Sequence, residues 1–430
     1  MSVAVIGGGY AGMAAAVTLA QEGVAVTVYE AGPQLGGRAR RVTVNGVALD
    51  NGCHILLGAY TELLRLIRLV HPSPDQALAR FPLDWNIQRR FRLKAAPLPS
   101  PLHLAAGLLA ARGAPWPERV AAAKFVRDMR SRRYALARDV TVKELLADHR
   151  QGAAMVRWFW EPLCVAALNT PPARASAQIF LNVLRDGVDA HRRAGDMLLA
   201  RHDLSSLFPD PAADYVRARG GSIESGALVT SIEPQASGVR VSARGATTAH
   251  EHAICAVSPH RAGALLSGVP ELAKVAATVG RFRYQPIHSV YLQFDGTVRL
   301  PSPMLGLGGT AQWIFDREAI CGQRGMVAAV ISAEGAHQGL TQDALAGEVH
   351  AQLECELGPL PPLAWHRVIA EKRATFECTV GLERPRTRTP LPNVHLAGDY
   401  TDSGYPATLE SAVRSGIAAA KQVIDGPPKL

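Results

Sequence analysis

Aromatic side chains make up only 6% of this 430-residue chain, and no stretch alternates them with basic residues. That argues against nucleic acid as a partner. The six cysteines stand at 53, 164, 255, 321, 355 and 378, and no two fall in a C-x-x-C pair. Neither a zinc site nor a disulfide framework is indicated, and scattered thiols suit a reducing cytosol. Long apolar runs are missing too. The best, "LHLAAGLLAA" from Leu102 to Ala111, is about half of the roughly 18 residues a spanning helix needs. The first residues, "MSVAVIGGG", carry neither the basic leader nor the apolar core of a signal peptide. No internal repeat, low-complexity linker or G-x-S-x-G nucleophile turn is visible. His250 and His252 flank Glu251 in an expected surface turn, so no metal is expected there.

What is present is a globular composition, 48% hydrophobic and 19% charged, in a chain long enough for two domains. Lys plus Arg exceed Asp plus Glu by 46 − 37 = 9. A surplus of that size points to an anionic partner such as a membrane surface or an acidic cofactor.

The strongest local signal is "VAVIGGGYAGMAAAVTLAQEGVAVTVYEA". A buried strand from Val3 to Ile6 leads into Gly7, Gly9 and Gly12, then a helix, then a second strand ending at Glu30, 18 residues after Gly12. This is a dinucleotide-binding unit in its full context. Gly7 permits the tight turn, Gly9 the approach of a pyrophosphate, and Gly12 close packing of helix on strand. The helix N-terminus offers free N–H groups to phosphate. Glu30 accepts from a ribose hydroxyl and repels a 2′-phosphate.

A second glycine pair follows in "GPQLGGRARR", with Gly36, Gly37 and Arg38, and then "ALDNGCHILLG" with Asn51, Gly52 and His54. Together these resemble the FAD-dependent amine oxidase and phytoene desaturase superfamily. The resemblance implies a Rossmann-like α/β domain of the GR2 type, discontinuous in sequence, with an inserted α+β substrate domain. It implies FAD as cofactor, with Arg38 at the pyrophosphate and the Asn51–Gly52 stretch beneath the isoalloxazine. It further places Tyr10, Ala11 and Ala31 along the nucleotide, the backbone of Val229 at the adenine, and Gly398, Asp399, Pro406, Ala407 and Thr408 at the ribityl chain and flavin.

The FAD domain is then expected in three pieces, 1–80, 205–265 and 388–430. Between them lie a mostly helical insertion, 81–204, and a sheet-forming one, 266–387. A helix is expected to start near Pro117, and another to be kinked or split at Pro162. Of Trp158, Phe159 and Trp160, at least one is expected to be plain core. The basic residues Arg119, Lys124, Arg127, Arg130, Arg132 and Arg133 follow the apolar stretch 102–111 and Trp116. That juxtaposition suits docking on anionic lipid.

Four segments, "DNGCHILLGAY", "EPLCVAALNTPPARASAQIFLNVLRDG", "QWIFDR" and "LAGDYTDSGYPATLESAVRSG", resemble one branch of that superfamily, the hydroxysqualene dehydroxylases. Cys53, Tyr400 and Tyr405 depart from the branch pattern near the expected flavin. The branch implies reductive removal of a hydroxyl from a C30 isoprenoid allylic alcohol, by protonation of the hydroxyl and hydride transfer from reduced flavin N5. It implies an apolar substrate, a separate electron donor that the sequence does not identify, and a cytoplasmic protein on the inner face of the membrane. Competing expectations are a carotenoid desaturase or amine oxidase running oxidatively, and a prenyl-lipid carrier without flavin. Three residues are candidates for the proton donor. His54 passes the expected flavin and titrates near neutrality. Asp402 and Tyr405 lie at the tip of the C-terminal turn, where an acid against an apolar pocket would have a raised pKa. The whole turn from Tyr400 to Tyr405 is expected to face the reactive edge of the flavin.

Overall fold

The computed structural model describes residues 1–426. Its first sheet is five-stranded and wholly parallel, in the spatial order Ser222–Ser225, Ala25–Glu30, Ser2–Ile6, His252–Cys255, Val394–Leu396. The strands therefore come from three separated stretches of chain. Val3, Ala4 and Val5 are fully buried, as a parallel strand covered on both faces requires. The helix Tyr10–Gln21 returns along one face, and the helix Leu409–Asp425 packs against it. Two glycines make that packing possible. A Cβ at Gly12 would collide with the Gly7 carbonyl, and one at Gly416 with the Ala11 carbonyl. The spacing rule for Gly12 is thus met by the close approach it was expected to allow. A three-stranded antiparallel sheet, Val229–Gln235, Gly238–Ala243 and Ala246–His250, hangs from the parallel one.

The second large sheet has seven strands, drawn from both insertions. Five of them come from the later insertion, with Leu363–Phe376 and Tyr284–Phe294 the longest. The two at its edge, Asp84–Ile87 and Phe91–Lys94, come from the earlier insertion, which was expected to be mostly helical. Each is four residues long and flanked by arginines, too short for a periodic signal to stand out. Met197–Ala200, also from the first insertion, bridges Leu56–Leu57 and Leu78–Phe81. The first insertion is otherwise mostly helical, from the helix Leu102–Leu109 to the turn Arg192–Gly195, and it adds these short strands to the sheets.

Of the two alternatives at Pro162, kink or split, the helix is not split but changes its winding just before the proline. The chain runs from Ala153 through a π-helical stretch, Val156–Trp160, into the α-helix Glu161–Leu168. The wide π turn precedes the proline, where its missing N–H would otherwise break the hydrogen-bond ladder. The helix closes at Asn169 in the left-handed conformation. A second π-helical stretch, Leu184–Asp189, follows the helix Ala177–Val183. The helix Trp116–Ser131 starts with Pro117 in its first turn, as the sequence indicates. Trp160 is plain core and donates its indole N–H to Gln151 at 2.9 Å, whereas Trp158 is half-buried beneath the Arg157 guanidinium.

Candidate active site

A single cavity of about 1280 Å³ runs between the parallel sheet and the seven-stranded one. One half is walled by backbone. Gly7, Gly9, Tyr10 and Ala11 form its floor, Glu30 and Ala31 one side, and Gly37 and Arg38 the other. Gly36 N–H donates to the Gly8 carbonyl at 2.9 Å, which ties the two glycine loops together. A Cβ at Gly9 would meet nothing nearer than Gly37 Cα at 3.8 Å, so any side chain there would enter the cavity. That open cradle above a helix N-terminus fits a dinucleotide pyrophosphate. Gly12 lies beneath the cradle as packing and does not reach the cavity. The Glu30 carboxylate accepts from Gly8 N–H and Gly32 N–H, each at 2.8 Å. Each oxygen keeps a second lone pair for a ribose hydroxyl. Val229 lines the cavity farther along, at the start of its strand, next to Ser258 and Arg261.

The structure joins two residues that the sequence offered separately. Arg38 Nη2 lies 2.6 Å from Asp399 Oδ1, and its Nη1 donates to the Ala374 carbonyl at 2.7 Å. Burial alone would lower the Arg38 guanidinium; the Asp399 charge and hydrogen bond outweigh it, and the net shift is upward. The pair is thus a fixed positive and negative charge inside the cradle, with Arg38 cationic at any working pH. Asn51 donates to the Arg38 carbonyl and to Glu371, both at 3.3 Å. Gly398 N–H is held by Ser415 Oγ at 2.7 Å, so the last strand is tied to the last helix. That helix begins at Leu409 with Thr408 as N-cap, and Pro406, Ala407 and Thr408 all line the cavity.

The other half of the cavity is walled by side chains. Leu57, Leu83, Trp85, Phe159, Leu163 and Met197 line it from the first insertion and the strand before it, and Met304, Trp313 and Phe315 join them from the later insertion, on strands of the same sheet as Trp85. Trp85 and Trp313 meet edge to face, their ring centroids 4.6 Å apart. Such a chamber takes an apolar ligand and excludes water.

The three candidate proton donors fare differently. His54 lines the cavity where the two halves meet, beside Gly52 and Cys53. Its Nδ1 lies 2.7 Å from the Gly52 carbonyl. A carbonyl only accepts, so Nδ1 carries the proton and Nε2 is bare in the neutral ring. Burial lowers the His54 pKa, and nearby Arg38 adds to this against the pull of the Gly52 bond. Tyr405 also lines the cavity, and its phenol donates to Asp186 Oδ2 at 2.5 Å. Burial and the Asp186 charge raise its pKa, so it is a reluctant acid. Asp402 does not reach the cavity. Its side chain is 58% exposed and sits 3.8 Å from Arg384. The Asp402 N–H donates to the Pro385 carbonyl at 2.8 Å, which pins the backbone of the turn while the carboxylate stays in solvent. The expectation of an acid held against an apolar pocket is not met there. Tyr400 is corrected as well. Gly398 leaves room for its ring to fold back over the strand, and the ring is buried in the core away from the cavity.

Several cavity residues had no sequence signal. Glu371, Ala374 and Thr375 enter from the end of the long strand Leu363–Phe376, which reads as substrate-domain sheet. Arg185, Asp186, Gly187 and Val188 are consecutive residues that all reach the wall, because the π-helical turn widens there. Among the described residues there is no cluster of three or more metal-ligating side chains. His250 instead hydrogen-bonds the Tyr29 hydroxyl at 3.0 Å.

Comparison with known proteins agrees with this geometry. The family model described as "Flavin containing amine oxidoreductase" matches residues 10–424. The chain is 31% identical to the hydroxysqualene dehydroxylase of Zymomonas mobilis subsp. mobilis, over 97% of each chain. It is 29% identical to that of Rhodopseudomonas palustris, over 98% of each. Among solved structures, the cyclohexylamine oxidase of Brevibacterium oxydans superposes with a TM-score of 0.73 at 18% identity, covering 99% of this chain and 98% of that one. A putrescine oxidase bound to putrescine gives 0.72 at 16% identity, covering 99% of each. At those identities the structures report the fold, which is that of an FAD-binding oxidoreductase.

Proposed function

The chain belongs to the flavin-containing amine oxidoreductase family and, within it, to the hydroxysqualene dehydroxylases, and on that premise we propose that it reductively removes the hydroxyl of hydroxysqualene to leave squalene. It is an FAD-dependent oxidoreductase. The observation that carries the finer reading is the continuity of the cavity: a nucleotide cradle opens directly into an apolar chamber. A polar amine would find little to hold it along the walls of Leu, Met, Phe and Trp. A C30 hydrocarbon chain would be desolvated over most of its length.

Bound FAD, when reduced, supplies the hydride that replaces the leaving hydroxyl. The protein's part is to bind, orient, exclude water and move one proton. The cradle of Gly7, Gly9, Glu30 and the Arg38–Asp399 pair fixes the dinucleotide. The helix N-terminus at Thr408 and the Asn51–Gly52 turn, which line the same cavity, would hold the rest of the dinucleotide. His54, where cradle and chamber meet, gives a proton from Nε2 to the hydroxyl. Its Nδ1–H stays on the Gly52 carbonyl throughout, which fixes the ring orientation. A protonated allylic hydroxyl leaves as water, and the dry chamber keeps other water from the delocalised cation. The decisive experiment is anaerobic incubation of flavin-loaded protein with hydroxysqualene and a chemical reductant, followed by mass analysis. Squalene is expected; its absence from fully loaded protein would sink this reading.

The same reading has the protein meet its substrate at a membrane. No helix among the described residues is long and apolar enough to cross one. Support for a peripheral site comes from Leu98, Leu102 and Trp116, all exposed large apolar side chains around the short helix Leu102–Leu109. That helix packs against the cavity wall through His103, whose Nε2 lies 3.0 Å from the Val188 carbonyl. Of the basic residues expected to face lipid, Arg119 turns onto the Leu109 and Ala111 carbonyls and Arg130 onto Asp189. Lys124, Arg127 and Arg133 have no ion pair among the described residues and remain for an anionic surface. Sedimentation with anionic vesicles, weakened by Leu102→Ser with Trp116→Ser and absent with zwitterionic vesicles, is the expected result.

A further inference from the structure

The substrate half of the cavity is mostly apolar, and one cluster of charged and phenolic side chains reaches its wall. There the π-helical stretch Leu184–Asp189 faces the turn before the last helix. Asp186 Oδ1 accepts from Arg185 Nε at 2.6 Å, and Oδ2 accepts from Arg185 Nη2 at 2.8 Å and from the Tyr405 hydroxyl at 2.5 Å. All three side chains line the cavity. The turn opposite is fixed by its backbone as well. Asn182 Nδ2 donates to the Gly404 carbonyl at 2.8 Å, and Arg384 donates to the Tyr405 carbonyl at 2.7 Å. Arg414 lies over the Tyr405 ring at 5.7 Å and is itself paired to Glu410. The phenol is therefore positioned from its ring face, its backbone and its hydroxyl.

This arrangement has a directional consequence. Burial alone would raise the Asp186 carboxyl, but the bonds from Arg185 and Tyr405 outweigh it and keep it ionised. An ionised carboxylate only accepts, so the Tyr405 O–H is committed to it. The phenol oxygen can then only accept: the neighbouring Arg185 guanidinium draws on it from one side, and a ligand would find it an acceptor with no hydrogen to give. A hydrocarbon ligand has no use for such a group, whereas an alcohol has one O–H to satisfy once it leaves water. From this geometry we infer that Tyr405, positioned by Asp186, is the site that accepts the hydrogen bond of the substrate's hydroxyl, and so distinguishes the alcohol from its deoxygenated product. Tyr405 touches the ligand; Asp186 acts through it. The inference rests on the dehydroxylation reading above, and it gives Tyr405 the role of acceptor in place of proton donor.

The test is a pair of titrations on flavin-loaded protein, read by the change in the visible flavin spectrum. One ligand is the alcohol, hydroxysqualene, and the other is squalene. Wild type is expected to bind the alcohol more tightly. Tyr405→Phe and Asp186→Ala are each expected to weaken the alcohol by roughly tenfold while leaving squalene within about twofold. Tyr405→Phe keeps the ring and the flavin site, so it reports even if Asp186→Ala is poorly folded. Equal weakening of both ligands would mean a structural role and would overturn the inference. Unchanged discrimination in both variants would overturn it too. A flavin-loaded wild type that binds neither ligand overturns the dehydroxylation reading itself, which separates the two failures.

Discussion

The two halves of the cavity are made of different material. The nucleotide half is built from backbone: glycine loops, a helix N-terminus and strand ends, with one ion pair between Arg38 and Asp399. The chamber is built from side chains of Leu, Phe, Met and Trp that meet from both insertions. A backbone site tolerates almost no substitution, since an added Cβ collides with a carbonyl at Gly12 or fills the cradle at Gly9. A side-chain wall tolerates many, provided volume and apolarity are kept. The first half should therefore fail all at once and the second by degrees.

The harshest break in that contrast is Asp399→Ala. It removes the acid and leaves Arg38 unpaired, at a cost of about 3 kcal/mol. Protein purified without flavin absorbance is expected; a flavin-replete variant would show the pair to be dispensable. Next comes His54→Gln at the seam. As the proton donor, His54 works as the imidazolium, and burial has lowered its pKa. The wild-type rate is then expected to rise as pH falls from neutrality towards that lowered pKa and to level off below it. Loss of the donor is expected to slow single-turnover flavin oxidation by substrate roughly a hundredfold and to flatten that limb, with flavin retained.

A milder effect is expected from Ala167→Phe, which narrows the chamber without touching the cradle. Flavin content should be normal and kcat/KM lower by roughly tenfold. Loss of flavin here would mean that the two halves are not separable. The last change leaves catalysis aside and concerns stability alone, through Asp50, which lies under the seam. It accepts from the Leu204 N–H at 2.7 Å, and burial lifts its pKa to about 6, with Arg317 only partly offsetting this. A raised folded-state pKa means that its stabilising contribution is present below the unfolded value and is lost as pH rises through about 6. Asp50→Asn should remove that dependence, worth at most about 3 kcal/mol in denaturant melts between acid and neutral pH.

The same contrast explains what the sequence disclosed. Gly7, Gly9, Gly12 and Glu30 are legible because a tight turn, a close approach and a ribose each demand one residue type at one spacing. Arg38 and Asp399 were legible singly but not as partners, since nothing in the chain marks a contact 361 residues apart. The chamber was hidden because any apolar residue of the right volume serves, and its strands Asp84–Ile87 and Phe91–Lys94 are too short to show a period. Asp186 was hidden for another reason. In "NVLRDG" it reads as a helix end, and only the π-helical turn brings it to the wall beside Arg185. Asp402 misled because Asp399 and Tyr405, three residues to either side of it, do line the cavity, while the turn between them does not.

The parallel sheet that carries the cradle takes its edge strand, Val394–Leu396, and its covering helix, Leu409–Asp425, from the last stretch of the described chain. On a ribosome, the glycine loops emerge long before Asp399 exists to meet Arg38. The nascent protein must therefore hold an unfinished sheet edge, beside Ala253 and Ile254, from the synthesis of that strand until Val394–Leu396 is made. The cradle is then complete only once residue 399 and the helix after it have been made, so the glycine loops cannot finish their site alone.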